Sequence, residues 1–301
     1  MTFVRWFAGL LAAASAGTSA LAQEVPPGPP ISVTMVTQLS PTIPQYLRVD
    51  IPRLREGIPQ RSGGRIQVTL ASWPERNLNG PELLRVLRAG QIDLGGIALP
   101  TVAGDVPLLD IIDLAGLLQS HEQGRRVAEA MMPAQPVAIG FPEVYGALER
   151  GVVDCAVTGT ATGNGARWYE VTRHLYTLPV QWGVAAYGVN LAWWNKLDAP
   201  VRDFLQKVMK EVEDEQWRLG LELTEDGVAC NSGRREACKI GRLVENRPMT
   251  VTPATQADTE TLRASLTSVM LPAWVKRCGE RCGETYNRLV APITGIRYEP
   301  R

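Results

Sequence analysis

The chain is poor in the residues on which many metal and catalytic centres depend. Only two of its 301 residues are histidines, and 31 basic side chains balance 31 acidic ones. Neither histidine, His121 or His174, lies in a metal-binding or nucleophile motif. Because the chain has no excess of positive charge, nothing in its composition favours nucleic acid or an anionic membrane surface as a partner.

Long apolar runs are also missing after the first residues. Residues 6–14, "WFAGLLAAA", follow Arg5 and precede a small-residue cleavage pattern at residues 20–22. This arrangement predicts a secretory signal peptide over residues 1–22, cleaved before Gln23. No later stretch approaches the length of a membrane span, so we expect a soluble periplasmic protein with no direct membrane insertion.

Export changes the interpretation of the five cysteines. Cys230 and Cys238 bracket the polar loop "NSGRREA", and we predict that they form a disulfide. Cys278 and Cys282 are four residues apart, a spacing that would strain a bridge within a helix, so their pairing stays open. Cys155 stands alone in an apolar stretch. The spacing of the cysteines matches no familiar zinc site.

Strand and helix patterns alternate along the chain, which predicts an α/β fold with largely parallel sheets. A long helical pattern begins near Asp198, which can cap it, and reaches Gly227, which can end it. At about 1.5 Å per residue, such a helix is on the order of 40 Å long. We therefore expect it to run along two lobes.

One phrase occurs twice. "VLRAGQIDLGGIAL" (86–99) and "ALERGVVDCAVTGT" (147–160) both read as helix, glycine and strand, and they bring Asp93 onto Asp154. The repeat indicates either two similar lobes or chance similarity between common α/β units. Within each strand, an aspartate that accepts backbone N–H groups is a better interpretation than a ligand contact.

Several motifs in order make the chain resemble the DctP-type solute receptors of TRAP transporters. They are "SGGRIQV", "GPELLRVLRAGQID", "FPEVYGALERGVVD", "WYEV" and "VNLAWWNKL". The resemblance implies a two-lobed periplasmic-binding-protein-like fold with a long lobe-spanning helix. It also implies capture of a small carboxylate and its delivery to the membrane permease subunits of a TRAP transporter. The implied division is a signal peptide (1–22), lobe I (23–133), lobe II (134–189), the long helix with its return to lobe I (190–240) and a C-terminal segment packing on the lobes (241–301).

The chain departs from the family pattern in two places. The family has a longer segment before "FPEVYGALERG", and that segment carries an arginine that clamps the carboxylate. Here no Lys-x-Arg motif lies between Ala134 and Phe141, so we expect a reduced second lobe without the clamp. Val157 and Thr158 stand where the family often has a glutamate and an asparagine or tryptophan. We therefore expect no metal and no cofactor.

The candidate ligand-binding residues are Gln38, Thr158, Gly159, Arg167 and Trp182. Thr158 and Gly159 offer hydroxyl and backbone donors, and a guanidinium such as that of Arg167 is the natural partner of a carboxylate. Each candidate also has a plain structural interpretation. Thr158 and Gly159 fit an ordinary loop, Arg167 a solvated surface, Trp182 simple core packing, and Gln38 a loop after the first strand.

Two further functions remain open. A degenerate receptor would keep the fold without binding a ligand. A secreted thiol-dependent enzyme would need Cys155 as a nucleophile, with His174 as its base and Asp154 beside it. Neighbours in a strand point to opposite faces, which separates Asp154 from Cys155, so we expect no enzyme.

Overall fold

The computed structural model describes residues 23–102, 111, 114–118, 120, 122–123 and 141–300. The signal peptide and the expected site of the missing arginine strand lie outside the described residues, apart from Phe141. The strands are β1 (Ile31–Val36), β2 (Ile66–Ala71), β3 (Leu94–Ala98), β4 (His174–Tyr176), β5 (Ala185–Val189) and β6 (Thr250–Thr252).

The first helix, α1, is π-helical over Tyr46–Gly57 and α-helical over Ile58–Arg61. The other α-helices are α2 (Gly80–Arg88), α3 (Phe141–Glu149), α4 (Thr160–Gly165), α5 (Leu191–Trp194), α6 (Ala199–Asn231), α7 (Gln256–Ser265), α8 (Leu271–Cys278), α9 (Glu280–Leu289) and α10 (Ala291–Thr294). No helix among the described residues is both long enough and apolar enough to cross a membrane.

The first sheet has the strand order β2-β1-β3-β5 in the described part of the chain. β1 is parallel to β2 and β3, whereas β5 is antiparallel to β3. The expected α/β fold is thus confirmed. The division into lobes needs one correction: β5 was assigned to the end of the second lobe, but its backbone pairs with the first sheet. The chain therefore returns to the first sheet before the long helix begins.

Apolar clusters cover both faces of the first sheet. One cluster joins Leu94 to Leu54 of α1 and Val208 of α6. The other joins Ile97 to Leu83 of α2, and it includes buried residues of α8 and α9. Leu94 and Ile97 are three residues apart in one strand and so face opposite sides of the sheet. Helices from the middle and the end of the chain therefore sandwich the first sheet.

The helix–glycine–strand unit before β3 forms as predicted. Asn79 and Glu82 make a reciprocal capping box at the start of α2, and Gly90 has a left-handed φ of 71° after its end. The Oδ2 atom of Asp93 accepts the backbone N–H of Thr34 at 2.8 Å, and the N–H of Asp93 returns to the Thr34 carbonyl at 2.9 Å. The structural interpretation of Asp93 is correct, since its carboxylate joins β3 to β1.

The second copy of the unit does not complete its strand. α3 forms and Gly151 has a φ of 66°, but residues 152–159 belong to no sheet of the described chain. Val152 and Val157 are 71% and 69% exposed. The strand prediction was wrong here because an apolar run becomes a strand only where a neighbouring strand pairs with it, and the described residues supply none. Asp154 is exposed and makes no hydrogen bond to a described residue, so the structural interpretation of this aspartate is not supported.

A second sheet pairs β4 with β6 in parallel, so that His174 faces Thr250. These two short strands are the whole of that sheet among the described residues. The expected reduction of the second lobe stays a prediction, because residues 124–140 lie outside the described part of the chain.

The long helix α6 begins as predicted and ends later than predicted. Asp198 accepts the N–H of Val201 at 3.0 Å and caps the first turn. The helix continues through Gly227 to Asn231, a span of 33 residues. At 1.5 Å per residue it is about 50 Å long. Gly227 does not end the helix; it lies against α4, where a side chain would collide with the backbone.

Both cysteine pairs are bridged. The predicted Cys230–Cys238 disulfide forms at the end of α6, and Cys278–Cys282 joins the end of α8 to the start of α9. The helix breaks between the second pair, because Gly279 has a φ of 101°. A bridge across this break is not the bridge within one helix that seemed strained. Cys155 remains free and exposed.

Candidate functional site

The five candidate ligand residues lie on different parts of the fold. Gln38 follows β1, Trp182 precedes β5, and the remaining three lie at the two ends of α4. The loop after β1 touches α4, since the Thr42 hydroxyl donates to the Gly165 carbonyl at 3.4 Å. No hydrogen bond or ion pair among the described residues joins Gln38 itself to the candidates beside α4. The structure therefore brings the two loops together without assembling the side chains into one contact set.

Gln38 is held in a polar cluster within the protein. Its backbone is left-handed, with a φ of 53°. Its Nε2 atom donates to Asp50 Oδ2 at 3.0 Å and to the Tyr187 hydroxyl at 3.1 Å. Both amide protons therefore have partners, and only the Oε1 acceptor is left for another molecule.

Asp50 is the centre of this cluster, and sequence reasoning missed it. Its Oδ1 atom accepts the Tyr187 hydroxyl at 2.9 Å and Gln216 Nε2 at 2.8 Å. The carboxyl is fully buried, and this burial raises its pKa above the ordinary value of 3.8, while the bonds from Gln38, Tyr187 and Gln216 act in the opposite direction. Burial also raises the pKa of Tyr187 well above its usual range, with the Asp50 charge adding to the effect. The four residues come from α1, β5, α6 and the loop after β1, so no local pattern announced them.

Gly159 and Thr158 lead into α4. Gly159 occupies the position before the first helical residue, with an extended backbone. Thr158 is partly buried, and its methyl group lies near Gly163. The helix itself is fixed to α6, because the Thr160 hydroxyl donates to the Thr224 carbonyl at 2.9 Å. The backbone at the start of α4 is therefore held in one place.

Arg167 already has a carboxylate partner. Its backbone is left-handed with a φ of 63°, and its Nε atom donates to Glu170 Oε1 at 2.7 Å. Glu170 raises the pKa of Arg167, and Arg167 in turn lowers the pKa of Glu170. The side chain of Arg167 is 57% exposed. A ligand carboxylate would have to compete with Glu170 for this guanidinium.

Trp182 is partly buried against the apolar cluster that contains Ile97 and Trp274. This contact agrees with the core-packing interpretation, which the sequence left open beside ligand binding. Trp182 therefore contributes at least to the packing of the segment that enters β5.

The groups expected of a thiol enzyme are not assembled. Cys155, Asp154 and His174 are all exposed, and no hydrogen bond joins any two of them in the described structure. A nucleophile and its base need hydrogen-bond reach of each other. The geometry gives this chemistry no support.

A second buried carboxylate, Asp226, organises the loop after α6. Its oxygens accept the N–H groups of Lys239, Ile240 and Gly241 at 2.5, 2.9 and 2.7 Å. The carboxylate lies close to the bridged sulfurs of Cys230 and Cys238, with all three ligand atoms within 4.8 Å. Because the sulfurs are bonded to each other and the oxygens hold backbone N–H groups, these three residues serve the loop rather than a metal.

Asn164 on α4 completes this anchor. It is 1% exposed, its Oδ1 atom accepts the Arg242 N–H at 2.7 Å, and its Nδ2 atom donates to Asn231 Oδ1 at 2.9 Å. Sequence reasoning missed Asn164 and Asp226. A signal was present for Asp226, which lies one helical turn before Cys230.

The fold matches known receptors closely. The first comparison is DctP7, a Bordetella pertussis extracytoplasmic solute receptor binding pyroglutamic acid, with a TM-score of 0.71, 16% identity, and coverage of 88% of this chain and 99% of that one. A TRAP periplasmic solute-binding protein from Desulfovibrio salexigens with bound orotic acid has a TM-score of 0.71 and 16% identity, and the match covers 87% of this chain and 99% of that one. The sugar acid binding protein of Advenella mimigardefordensis in complex with galactonate has a TM-score of 0.72 and 13% identity, and the match covers 89% of this chain and 99% of that one.

Part of the sequence also matches a family of solute-binding proteins. No curated protein sequence matches the chain. Residues 130–272 match the family model described as bacterial extracellular solute-binding protein, family 7, the DctP family. Its members are binding proteins of the extracytoplasmic space. Residues 130–272 are thus similar to the DctP family, and the fold is similar to that of extracytoplasmic solute receptors.

Proposed function

We propose that the protein is an extracytoplasmic solute receptor that captures a small organic carboxylate and passes it to the permease subunits of a TRAP transporter. The observation that carries the proposal is the fold shared, over nearly nine-tenths of the chain, with receptors that hold pyroglutamic acid, orotic acid and galactonate. Each of these ligands has a carboxylate group. The protein captures its solute without chemical change and is not an enzyme.

The ligand cleft lies where the loop after β1 meets α4. Open α/β sheets bind ligands beyond the carboxyl ends of their strands, and both elements follow such ends or adjoin them. The contact of Thr42 with Gly165 supports this position. Gln38, Thr158, Gly159, Arg167 and Trp182 remain our candidates for contacting the solute, with Gln38 offering an acceptor rather than a donor.

The receptor works from the periplasm as a mature chain beginning at Gln23. Lobe I is followed by a reduced lobe II, and the C-terminal segment packs back on the first sheet. Mass spectrometry of the exported protein measures the first residue directly. A mass that includes Met1 contradicts the cleavage before Gln23.

A thermal-shift screen against mono- and dicarboxylates and keto acids, followed by calorimetric titration of the best hit, tests the function. Without a clamp arginine we expect weak binding, because truncating a desolvated charge pair costs about 2–5 kcal/mol. A submicromolar affinity that survives Arg167→Ala contradicts the weak-clamp prediction. If no carboxylate binds at all, the solute-capture proposal fails.

That last outcome favours the second candidate, a degenerate receptor. The exposure of Val152 and Val157 and the pairing of Arg167 with Glu170 support this alternative. The first leaves apolar side chains unpaired among the described residues, and the second occupies the guanidinium that a ligand carboxylate would need.

A further inference from the structure

A groove separate from the proposed cleft lies beside the second sheet. It has a volume of about 350 Å³. One wall is the segment that leads into β4, and the other is the segment that leads into β6; the lining residues are Tyr169, Glu170, Arg173, Leu243, Val244, Glu245, Asn246 and Arg247. Because the two strands are parallel, both walls lie at the amino ends of the strands. The lining of this Arg173–Arg247 groove contains none of the five candidate ligand-binding residues.

The carboxylates of the groove are already neutralised. Glu170 accepts from Arg167 and, through Oε2, from the Tyr145 hydroxyl at 3.0 Å. Glu245 is paired with Arg235. Neither Arg167 nor Arg235 lines the groove. The two acidic side chains are thus paired with arginines outside the lining. The positive charges of Arg173 and Arg247 within the lining are therefore in excess.

Arg173 is held in place without losing its charge. Its Nη1 atom donates to the backbone carbonyls of Thr172, Tyr169 and Glu170 at 2.7, 3.2 and 3.4 Å. The Nε and Nη2 atoms make no hydrogen bond to a described residue. A guanidinium fixed on one side presents its remaining N–H groups in a set geometry, which suits the two oxygens of a carboxylate.

Arg247 faces Arg173 from the other wall. It makes no hydrogen bond or ion pair with any residue that the structure describes. Two arginines in one groove attract an anion, because the carboxylates of Glu170 and Glu245 are already paired with Arg167 and Arg235.

The wall that carries Arg247 is tied down at both ends. The Val244 N–H donates to the Cys230 carbonyl at 3.0 Å, and the Met249 N–H donates to the Asn231 carbonyl at 2.8 Å. The bridge between Cys230 and Cys238 lies at the same end of α6. A wall ordered in advance reduces the entropy that binding must lose.

We propose that the Arg173–Arg247 groove is a carboxylate-binding site that takes a small dicarboxylate between its two arginines. The site rests on the proposed function only for the class of ligand, since it lies outside the cleft. Two guanidinium groups in one groove match the two negative groups of such a ligand.

Succinate is a suitable probe, and the mature full-length chain with ¹⁵N-labelled arginine is the sample. We expect the side-chain Nε–Hε signals of Arg173 and Arg247 to shift saturably with succinate at constant ionic strength. Neutral succinamide and added chloride should leave them in place. Arg173→Gln and Arg247→Gln assign the signals, and each should weaken succinate binding by at least about fivefold. Arg234→Gln changes an exposed arginine of the same loop and should bind as the wild type does.

Three results overturn the proposal: shifts that chloride reproduces, shifts that do not saturate, or an affinity in Arg247→Gln within twofold of the wild type. Arg247→Gln decides even if Arg173→Gln fails to fold, because Arg247 holds no described part of the structure. The double variant combines Arg173→Gln with Arg247→Gln. If a carboxylate binds it as tightly as it binds the wild type, the receptor function is retained and the groove is not the binding site. If succinate gives saturable shifts in the groove and no carboxylate binds the double variant, the groove site stands and the receptor function fails.

Discussion

Gly227 of α6 lies against the backbone of Ala161 in α4, and a Cβ at Gly227 would stand 2.4 Å from the Ala161 nitrogen. The same Cβ would meet the Thr160 carbonyl carbon at 2.6 Å. Backbone atoms cannot turn aside as a flexible side chain can. The glycine is therefore a packing requirement between the long helix and the helix that borders the proposed cleft.

Gly227→Ala should destabilise the protein. Overpacking against backbone costs about 1–3 kcal/mol, and the better helix propensity of alanine returns only about 1 kcal/mol. Urea denaturation followed by circular dichroism measures the change in the free energy of unfolding. Gly183→Ala is the control, because a Cβ there meets nothing within 4 Å. Equal stability of Gly227→Ala and the wild type would falsify the close approach of α4 to α6.

Removing the Cys230–Cys238 bridge should also lower stability. The cysteines are eight residues apart, and closing a loop of this size stabilises a fold by about 2–3 kcal/mol on the chain-entropy estimate. The double variant Cys230→Ser, Cys238→Ser should lose that amount in chemical denaturation, whereas Cys155→Ser should not. Non-reducing peptide mapping checks the pairing itself, and finding Cys230 joined to another cysteine refutes it.

Asp50 should make stability fall as the pH rises. Burial raises the folded-state pKa of Asp50 above 3.8, so the folded protein holds this proton more tightly than the unfolded chain does. The contribution of Asp50 is therefore fully present below about pH 4 and is lost as the pH rises through the folded-state pKa.

The free energy of unfolding of the wild type, relative to that of Asp50→Asn, should decrease from about pH 4 toward neutrality. Denaturation curves at a series of pH values measure this difference. The exposed Asp203→Asn variant serves as the reference for charge removal from α6. A relative stability that stays level or increases with pH rules out a raised pKa for Asp50.

Cys155 should be the one thiol that reacts in the native protein, because the other four cysteines form the two bridges. Iodoacetamide should add a single group per chain, as intact mass spectrometry reports, and five after reduction and unfolding. Carboxylate binding should be unchanged by the single modification. Loss of binding would instead place this thiol at the ligand and reopen a thiol-dependent function.

The sequence predicted what neighbouring residues determine. The end of α2 at Gly90, the cap of α6 at Asp198 and the Cys230–Cys238 bridge follow from residues that are close together in the sequence. Asp93 was predicted correctly for a related reason: a carboxylate in a buried strand needs N–H partners, and the adjacent strand supplies the Thr34 N–H.

Features that depend on distant partners could not be predicted in the same way. The run that contains Val152 and Val157 has the composition of a strand, but pairing decides whether a strand forms. Gly227 is a residue type that often ends a helix. Its actual role is to allow close packing against α4, which lies more than sixty residues earlier in the chain. Asp50 lies among donors from three other parts of the chain, and only the fold brings them together.

The antiparallel pairing of β5 with β3 joins residues that are far apart in the chain, such as Leu94 and Val189. A ribosome releases the chain from its amino end, so β1, β2 and β3 are complete before β5 has been made. Until then, the outer edge of β3 presents free N–H and C=O groups to any other strand. Synthesis of β5 therefore sets the earliest moment at which the outer edge of β3 can be paired. A chain that stops before residue 185 leaves that edge of β3 unpaired.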